Sequence, residues 1–235
     1  MKGKKMAETT TFMDMKKQND HTELVRKALE SVAFVAPKGT KMPETITDDS
    51  GKLLALPKEW WGLGIVTPDG YQFEAETTKT EVEGHGYSVP VRVDIDKVPR
   101  TITVTALEKY KRQFIELTEG VSLGDVKQKS SGEVVYETPA IVTMGEYCMM
   151  IYVRDGREDA QWLLARGYPL VKLGEIPSDS WNNEAMKTPL KFDVLIDTSV
   201  GYVQRNYIAG TGPKKYKDIL GFAQEGVSSV PGSLG

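Results

Sequence analysis

Cysteine is almost absent from this chain. Cys148 is the only one in 235 residues, which excludes an internal disulfide framework and a zinc site built on cysteines. It lies in the apolar run Tyr147-Cys-Met-Met-Ile-Tyr152, where a buried small hydrophobe is expected rather than a nucleophile. Histidine is nearly as scarce. His21 at a helix start and His85 between two glycines are the whole supply, and neither has Cys or acidic neighbours at zinc spacing. Basic excess is also missing: 30 Lys and Arg against 33 Asp and Glu leave a net charge of −3, unlike a dedicated nucleic-acid binder. No apolar run approaches the roughly 20 residues of a membrane span. The N-terminal lysines are followed by no apolar segment, so no secretory signal is expected and the chain is expected in a cytosol.

Catalytic signatures are missing too. Gly62-Leu-Gly64 has no third glycine at the dinucleotide offset. Gly210-Thr-Gly-Pro-Lys-Lys215 lacks both the spacing and the hydroxyl residue of a phosphate loop. There is no G-x-S-x-G elbow. Paired carboxylates do occur, as Glu74 with Glu76, Asp94 with Asp96, and Asp193 with Asp197. A glycosidase would hold two of them about 5–9 Å apart across a cleft, beside sugar-stacking aromatics that are not evident here. Any solvated strand face supplies the same pairs. No catalytic residue, cofactor or metal is therefore expected, and no enzymatic activity.

What the chain does have is strand periodicity. Apolar residues make up 40% and charged residues 27%, enough for a sizeable core. The organising stretch runs from Glu59 to Gly120. After a turn expected at Pro68-Asp69-Gly70, Tyr71, Phe73 and Ala75 alternate with Gln72, Glu74 and Glu76, the two-residue period of a half-buried strand. A polar loop is expected from Lys79 to Ser88. Alternation resumes at Val91, Val93 and Ile95, turns near Lys97-Val98-Pro99, and continues at Ile102 and Val104. From Thr105 the spacing predicts a helix with Leu107, Tyr110, Phe114 and Leu117 on one face, and Thr105 with Glu108 has capping-box spacing.

The flanks follow the same logic. Residues 1–17 are polar and aperiodic and predict an arm; Asn19-Asp20 caps a predicted short helix with Leu24, Val25, Ala28 and Leu29 inward. Ala33 to Ala36 predicts a strand. Residues 38–58 form a Pro-, Gly- and Asp-rich connection long enough to be functional or draped over a neighbour. Further strands are expected at Glu133–Tyr136, Tyr147–Val153, Ala160–Leu173, Leu190–Ile196 and Gly201–Ile208, with a hairpin turn at Asp155-Gly156 and a break near Gly167 and Pro169. From Gly210 the composition is that of a flexible tail. Trp60 and Trp61, adjacent on extended chain, face opposite ways. The outward one suits a subunit interface, as does Trp181 in the loop SDSWNNE.

The order LGIVTPDGYQFEAE, an acidic segment ending EGHG, then VPVRVDID and RTITVTALEKYKRQFIELTEG resembles the major tail tube proteins of long-tailed bacteriophages, those of actinobacteriophages in particular. The upstream AFVAPKGTKMPETITD and LPKEWWGLG belong to the same resemblance, which is good from about Val32 to Gly120 and looser to Gly210. It implies a mainly β fold, a two-sheet antiparallel sandwich or open barrel with one packed helix and extended arms. It implies hexameric rings whose strands join into an inner barrel, stacked around a tape-measure protein and later traversed by double-stranded DNA. Tail terminator and tail-tip proteins would be further partners, with no membrane insertion, and the place would be the virion tail, after the host cytoplasm.

On that footing the expected parts are an N-terminal arm with a short helix (1–44), a tube β domain (45–210) and a flexible C-terminal tail (211–235). Glu74, Glu76, Arg92, Asp94 and Asp96 are candidates for the lumen wall, with Phe73, Ala75, Val91, Val93 and Ile95 behind them facing the core. Trp60, Trp61, Glu81, Glu83, His85 and Trp181 are candidates for subunit interfaces. The competing readings are a soluble carbohydrate- or peptide-binding β-sandwich module, and a secretion-system tube subunit.

Overall fold

The computed structural model describes residues 10–223. Helix α1 (Phe12–Asn19) is followed by β1 (Glu30–Pro37), β2 (Trp61–Gly62), β3 (Val66–Ala75), β4 (Thr78–Val82), β5 (Arg92–Lys97) and β6 (Arg100–Ala106). Helix α2 (Arg112–Glu119) comes next, then β7 (Glu146–Asp155), β8 (Trp162–Leu173), β9 (Thr188–Val194) and β10 (Arg205–Ala209). Helices α3 (Thr211–Lys215) and α4 (Lys217–Leu220) follow. The chain is mainly β, in one large antiparallel sheet and one small one, consistent with the expected β-sandwich or open barrel.

The large sheet runs β2-β1-β7-β8-β9-β6-β3, with β10 also on β8. Strand β8 can serve two neighbours on one edge because its halves pair differently. Leu163 to Gly167 face β10, whereas Val171 to Leu173 face β9. The change of partner falls at the expected break. Pro169 has no N–H to give a ladder, and opposite it the register of β7 slips between Tyr147 and Met149. The sheet therefore curls. The Leu63 N–H bonds to the Ala33 carbonyl at 2.9 Å and the Leu107 N–H to the Ile65 carbonyl at 2.8 Å. Residues 61–66 thus bridge the β1 and β6 sides and nearly close a barrel.

Its inner core follows from the alternation. Ile102, Val104 and Ala106 of β6 point in, while Thr101, Thr103 and Thr105 face out; β-branched threonines suit a pleated outer surface. Leu190 and Phe192 of β9, Met149 and Ile151 of β7, and Tyr168 and Val171 of β8 complete the wall, and α2 adds Phe114 and Leu117. Each such burial contributes about 1.5–3 kcal/mol. Gly120, at φ 62°, ends the helix in the left-handed conformation that glycine adopts freely.

A second core lies on the outside. Cys148, Met150 and Tyr152 of β7, with Ala36, Ala165 and Tyr207, make an apolar outer face. Residues 38–60 drape over that face of their own subunit and supply Met42, Ile46 and Trp60. Arg205 and Tyr207 donate hydrogen bonds to the Pro43 carbonyl at 3.0 and 2.5 Å, pinning the segment. With apolar partners on both faces, β7 needs a continuous rather than alternating apolar run. Cys148 is 1% exposed, and burial raises its thiol pKa, consistent with a packing role.

Several expected elements fall elsewhere. Pro68-Asp69-Gly70 is not a chain reversal but an irregularity inside β3, where the pairing shifts between Val66 and Tyr71. Residues 79–82 are strand, not loop. Residues 97–99 do not turn β5 back onto β6: β3–β4 and β5–β6 are the two arms of one long hairpin, joined across Ala75↔Arg100 and Thr78↔Lys97. The helix starts at Arg112 because β9 claims Thr105 and Ala106 through Pro189 and Thr188. Tyr110 is consequently 70% exposed. Near the N-terminus helix α1 ends at Asn19, with Asp20 as its C-cap; after it comes only a 3-10 turn at Thr22–Leu24, and Val25 and Leu29 are exposed. Glu133–Tyr136 forms no strand. Strand β1 belongs to the main sheet, so the sheet begins before residue 44. Residues 211–220, read as tail, are helical, and Tyr216 stacks on Trp162. The rest of the expected tail, from 224 on, and residues 1–9 of the arm lie outside the described residues.

Candidate assembly surfaces

Beyond Ala75 the long hairpin leaves the barrel, and β4 with β5 forms a sheet of its own. Lys79 pairs with Ile95, Glu81 with Val93, and Val82 with Arg92. Paired residues share a face. One side therefore carries Val91, Val93 and Ile95 beside Lys79 and Glu81; the other carries Thr80, Arg92, Asp94 and Asp96. The valines and isoleucine were expected to face a core. They are instead 53%, 49% and 64% exposed, and Phe73 is 39% exposed. The physical reason is position: the alternation persists past the point where the hairpin separates from the barrel, so there is no second layer beneath it. An isolated two-stranded hairpin is marginally stable at best in water.

The polar side is internally satisfied. Arg92 Nε lies 2.7 Å from Asp94 Oδ2, and Thr80 Oγ1 donates to Asp96 Oδ2 at 2.6 Å. Toward the tip, Glu81, Glu83 and His85 are exposed, and among the described residues no ion pair involves them. Glu76 sits at the bend between β3 and β4, its N–H on the Pro99 carbonyl at 3.0 Å.

Glu74 belongs to a different surface. It pairs with Thr101, which pairs with Asp193, which pairs with Lys172. This row crosses the outer face of β3, β6, β9 and β8, with Gln72, Thr103 and Lys191 alongside. The face is threonine-rich and mixed in charge. The five lumen candidates are thus divided between this wall and the hairpin.

The tryptophans are placed differently from expectation. Trp60 is 6% exposed in the outer core, while Trp61 is half-buried against the inner one. They do face opposite ways, but two cores receive them, so neither is the outward group foreseen. Trp181 is 79% exposed, its indole N–H donating to Asp179 at 3.1 Å, and Asp179 pairs with Lys109 at 2.6 Å.

A groove not foreseen from the sequence opens on the concave side of β8 and β10. It encloses about 470 Å³, with Val153, Leu164, Ile208 and Phe73 as apolar lining and Lys27 and Arg166 among the cations. The available signal was Tyr207-Ile208 on an edge strand, where adjacent apolar residues make both faces apolar. Among the described residues, no three His, Cys, Asp or Glu side chains gather as a metal site, and no helix is long and apolar enough to cross a membrane.

The described chain is a curled, mainly β barrel with a projecting hairpin and a groove on one flank. Residues 18–199 match the family model described as phage tail tube protein, a span well over half of the chain. The chain belongs to that family, which places it in the virion tail among other tail components. No curated protein matches it.

Proposed function

We propose that this chain is the major tail tube subunit, forming hexameric rings that stack around a tape-measure protein and carry DNA during ejection. Tail terminator and tail-tip proteins would close the two ends, and subunits would wait in the host cytoplasm before assembly. The observation that carries this reading is the β4–β5 hairpin, whose apolar side no part of the described chain covers. Exposed strands of this kind invite pairing with other chains, and ordered assembly converts that hazard into an interface. Trp181 and the hairpin residues Glu81, Glu83 and His85 are interface candidates on the same argument.

For the lumen we favour the Glu74 face, with the hairpin's Arg92, Asp94 and Asp96 as its continuation. Duplex DNA carries one negative charge per roughly 1.7 Å of axis, so a basic wall would hold it through many phosphate contacts. A threonine-rich wall of mixed charge would not. Arg92 neutralises Asp94 at 2.7 Å, which keeps that portion mild. The test is negative-stain microscopy and mass photometry of the purified protein over a concentration series. Rings or tubes are expected; a monomer at all concentrations, as a soluble binding module would give, would overturn the reading. Lysine at Glu74 and Glu76, or at Asp94 and Asp96, should leave tubes intact but slow DNA ejection in a salt-dependent way.

A further inference from the structure

Two surfaces of this subunit lack a partner, and they match each other. The first is the apolar side of the β4–β5 hairpin. Val93 and Ile95 of β5, and Val91 just ahead of it, stand at alternate positions, a stripe of roughly 13 Å at about 3.3 Å per residue. Glu81 pairs with Val93 on that side, and Glu83 follows on the same alternation. Neither carboxylate has an ion-pair partner among the described residues. The second is the groove on the concave side of β8 and β10, about 470 Å³ in volume. Its lining includes Leu164 and Val153, with Ile208 53% and Phe73 39% exposed.

The cations of the groove divide into used and unused. Arg26 is engaged, 3.5 Å from Asp155 and over the Trp162 ring. Lys27 is exposed and has no ion pair among the described residues. Arg166 lies 4.0 Å over the Phe73 ring and beside the Tyr168 hydroxyl, with no carboxylate on it. The stripe carries Lys79 beside Ile95 at its base and the unpaired Glu81 and Glu83 toward its tip, so its tip half matches, in chemical terms, an apolar trough edged by two unpaired cations.

We propose that the β4–β5 hairpin of one copy seats in this groove of a second copy, Val93 and its neighbours against Leu164 and Ile208, with Glu81 and Glu83 meeting Lys27 and Arg166. The occupant is a second copy rather than an unrelated protein because both the apolar shape and the sign of charge are supplied by this chain. Its own hairpin does not fill the groove, since every residue of β4 is exposed. Donor and acceptor are different patches, so the contact is head-to-tail and propagates into a closed ring or an open helical filament. Charge pairs of this kind set register and partner choice as well as affinity. This inference rests on the self-assembly reading above.

The experiment uses full-length protein. Glu81→Lys with Glu83→Lys should raise the concentration needed for assembly roughly tenfold or more, as loss of close interfacial charge pairs does. Lys27→Glu with Arg166→Glu should do the same, and all four changes in one chain should restore assembly. Independently, Val93→Cys with Ile208→Cys should give intermolecular disulfides within assemblies, seen as ladders on non-reducing gels, where each single variant gives none beyond dimers. If wild type forms rings or tubes but the double-cysteine variant, equally assembled, does not cross-link, the hairpin–groove pairing is wrong while the tube reading stands. If cross-links form without rescue by the four-charge variant, the charge assignment is overturned. A wild type that never oligomerises overturns both readings.

Discussion

Trp60 separates a residue that holds the subunit together from one that joins subunits. The indole is 6% exposed and packs with Met42, Ile46, Tyr152 and Tyr207, so its truncation empties the centre of the outer core. Large-to-small changes of this kind cost about 3–5 kcal/mol. The indole nitrogen has no hydrogen-bond partner, and removing an unsatisfied buried donor recovers part of the loss. The lower end, about 3 kcal/mol, is therefore expected for Trp60→Ala. At about 2–4 °C per kcal/mol for a chain of this size, the melting temperature should fall by roughly 6–12 °C. The loss should be local first, because residues 38–60 are anchored by that side chain and by the two bonds to Pro43. Limited trypsin digestion followed by mass spectrometry should show faster cleavage after Lys41, Lys52 and Lys58 in the variant. The reasoning would be refuted by a variant that melts like wild type and resists trypsin yet fails to assemble, since Trp60 would then be an interface group.

Two further perturbations probe the barrel closure and the β10 exit. Glu108 accepts the Ile65 N–H at 2.9 Å and pairs with Lys111 at 2.6 Å; the Lys111 hydrogen bond first, then the Ile65 N–H, hold its carboxyl pKa below the ordinary value. A depressed folded-state pKa stabilises above the unfolded pKa of about 4.3, and the contribution is lost as pH falls through the folded value. Glu108→Gln should therefore have a lower urea midpoint than wild type at pH 7, with the gap closing at acid pH; a gap independent of pH would remove Glu108 from the closure. Gly210 has φ 103°, and a Cβ there would meet the Gln161 carbonyl oxygen at 2.4 Å. Gly210→Ala should cost about 1–3 kcal/mol from backbone strain alone and more from the clash. Gly70→Ala, at φ 65° with open space around it, should cost less; equal melting temperatures for the two would contradict the packing described.

Most strands were legible because alternation is a local signal. Ile102, Val104 and Ala106 inward with threonines outward, and the unbroken run of β7, could be read without knowing their partners. What stayed hidden depended on partners far along the chain. Thr105 and Glu108 have the spacing of a helix cap, yet pairing with Pro189 outweighs that spacing and Glu108 goes to the Ile65 N–H instead. Pro68-Asp69-Gly70 has turn composition, but a strand with a bulge accommodates the same residues when a long partner such as β6 is available. The tryptophan pair pointed opposite ways as expected. The error lay in assuming one core, since a draped segment rich in Pro, Gly and Asp gives no local sign that it lids a second.

The hairpin shows the deepest form of the same limit. Val91, Val93 and Ile95 alternate with Arg92, Asp94 and Asp96 as regularly as the residues of β6 do, and that pattern normally places its apolar half in a core. In this subunit they are about half exposed or more. Periodicity records that one face of a strand is to be dry; it does not record whose side chains will dry it. For a chain that acts alone, the two statements coincide, because apolar surface left in water would cost about 25 cal/mol per Å² with nothing to offset it. For a chain that acts in an array they separate. A face kept apolar beyond the reach of its own fold is where a neighbour is expected.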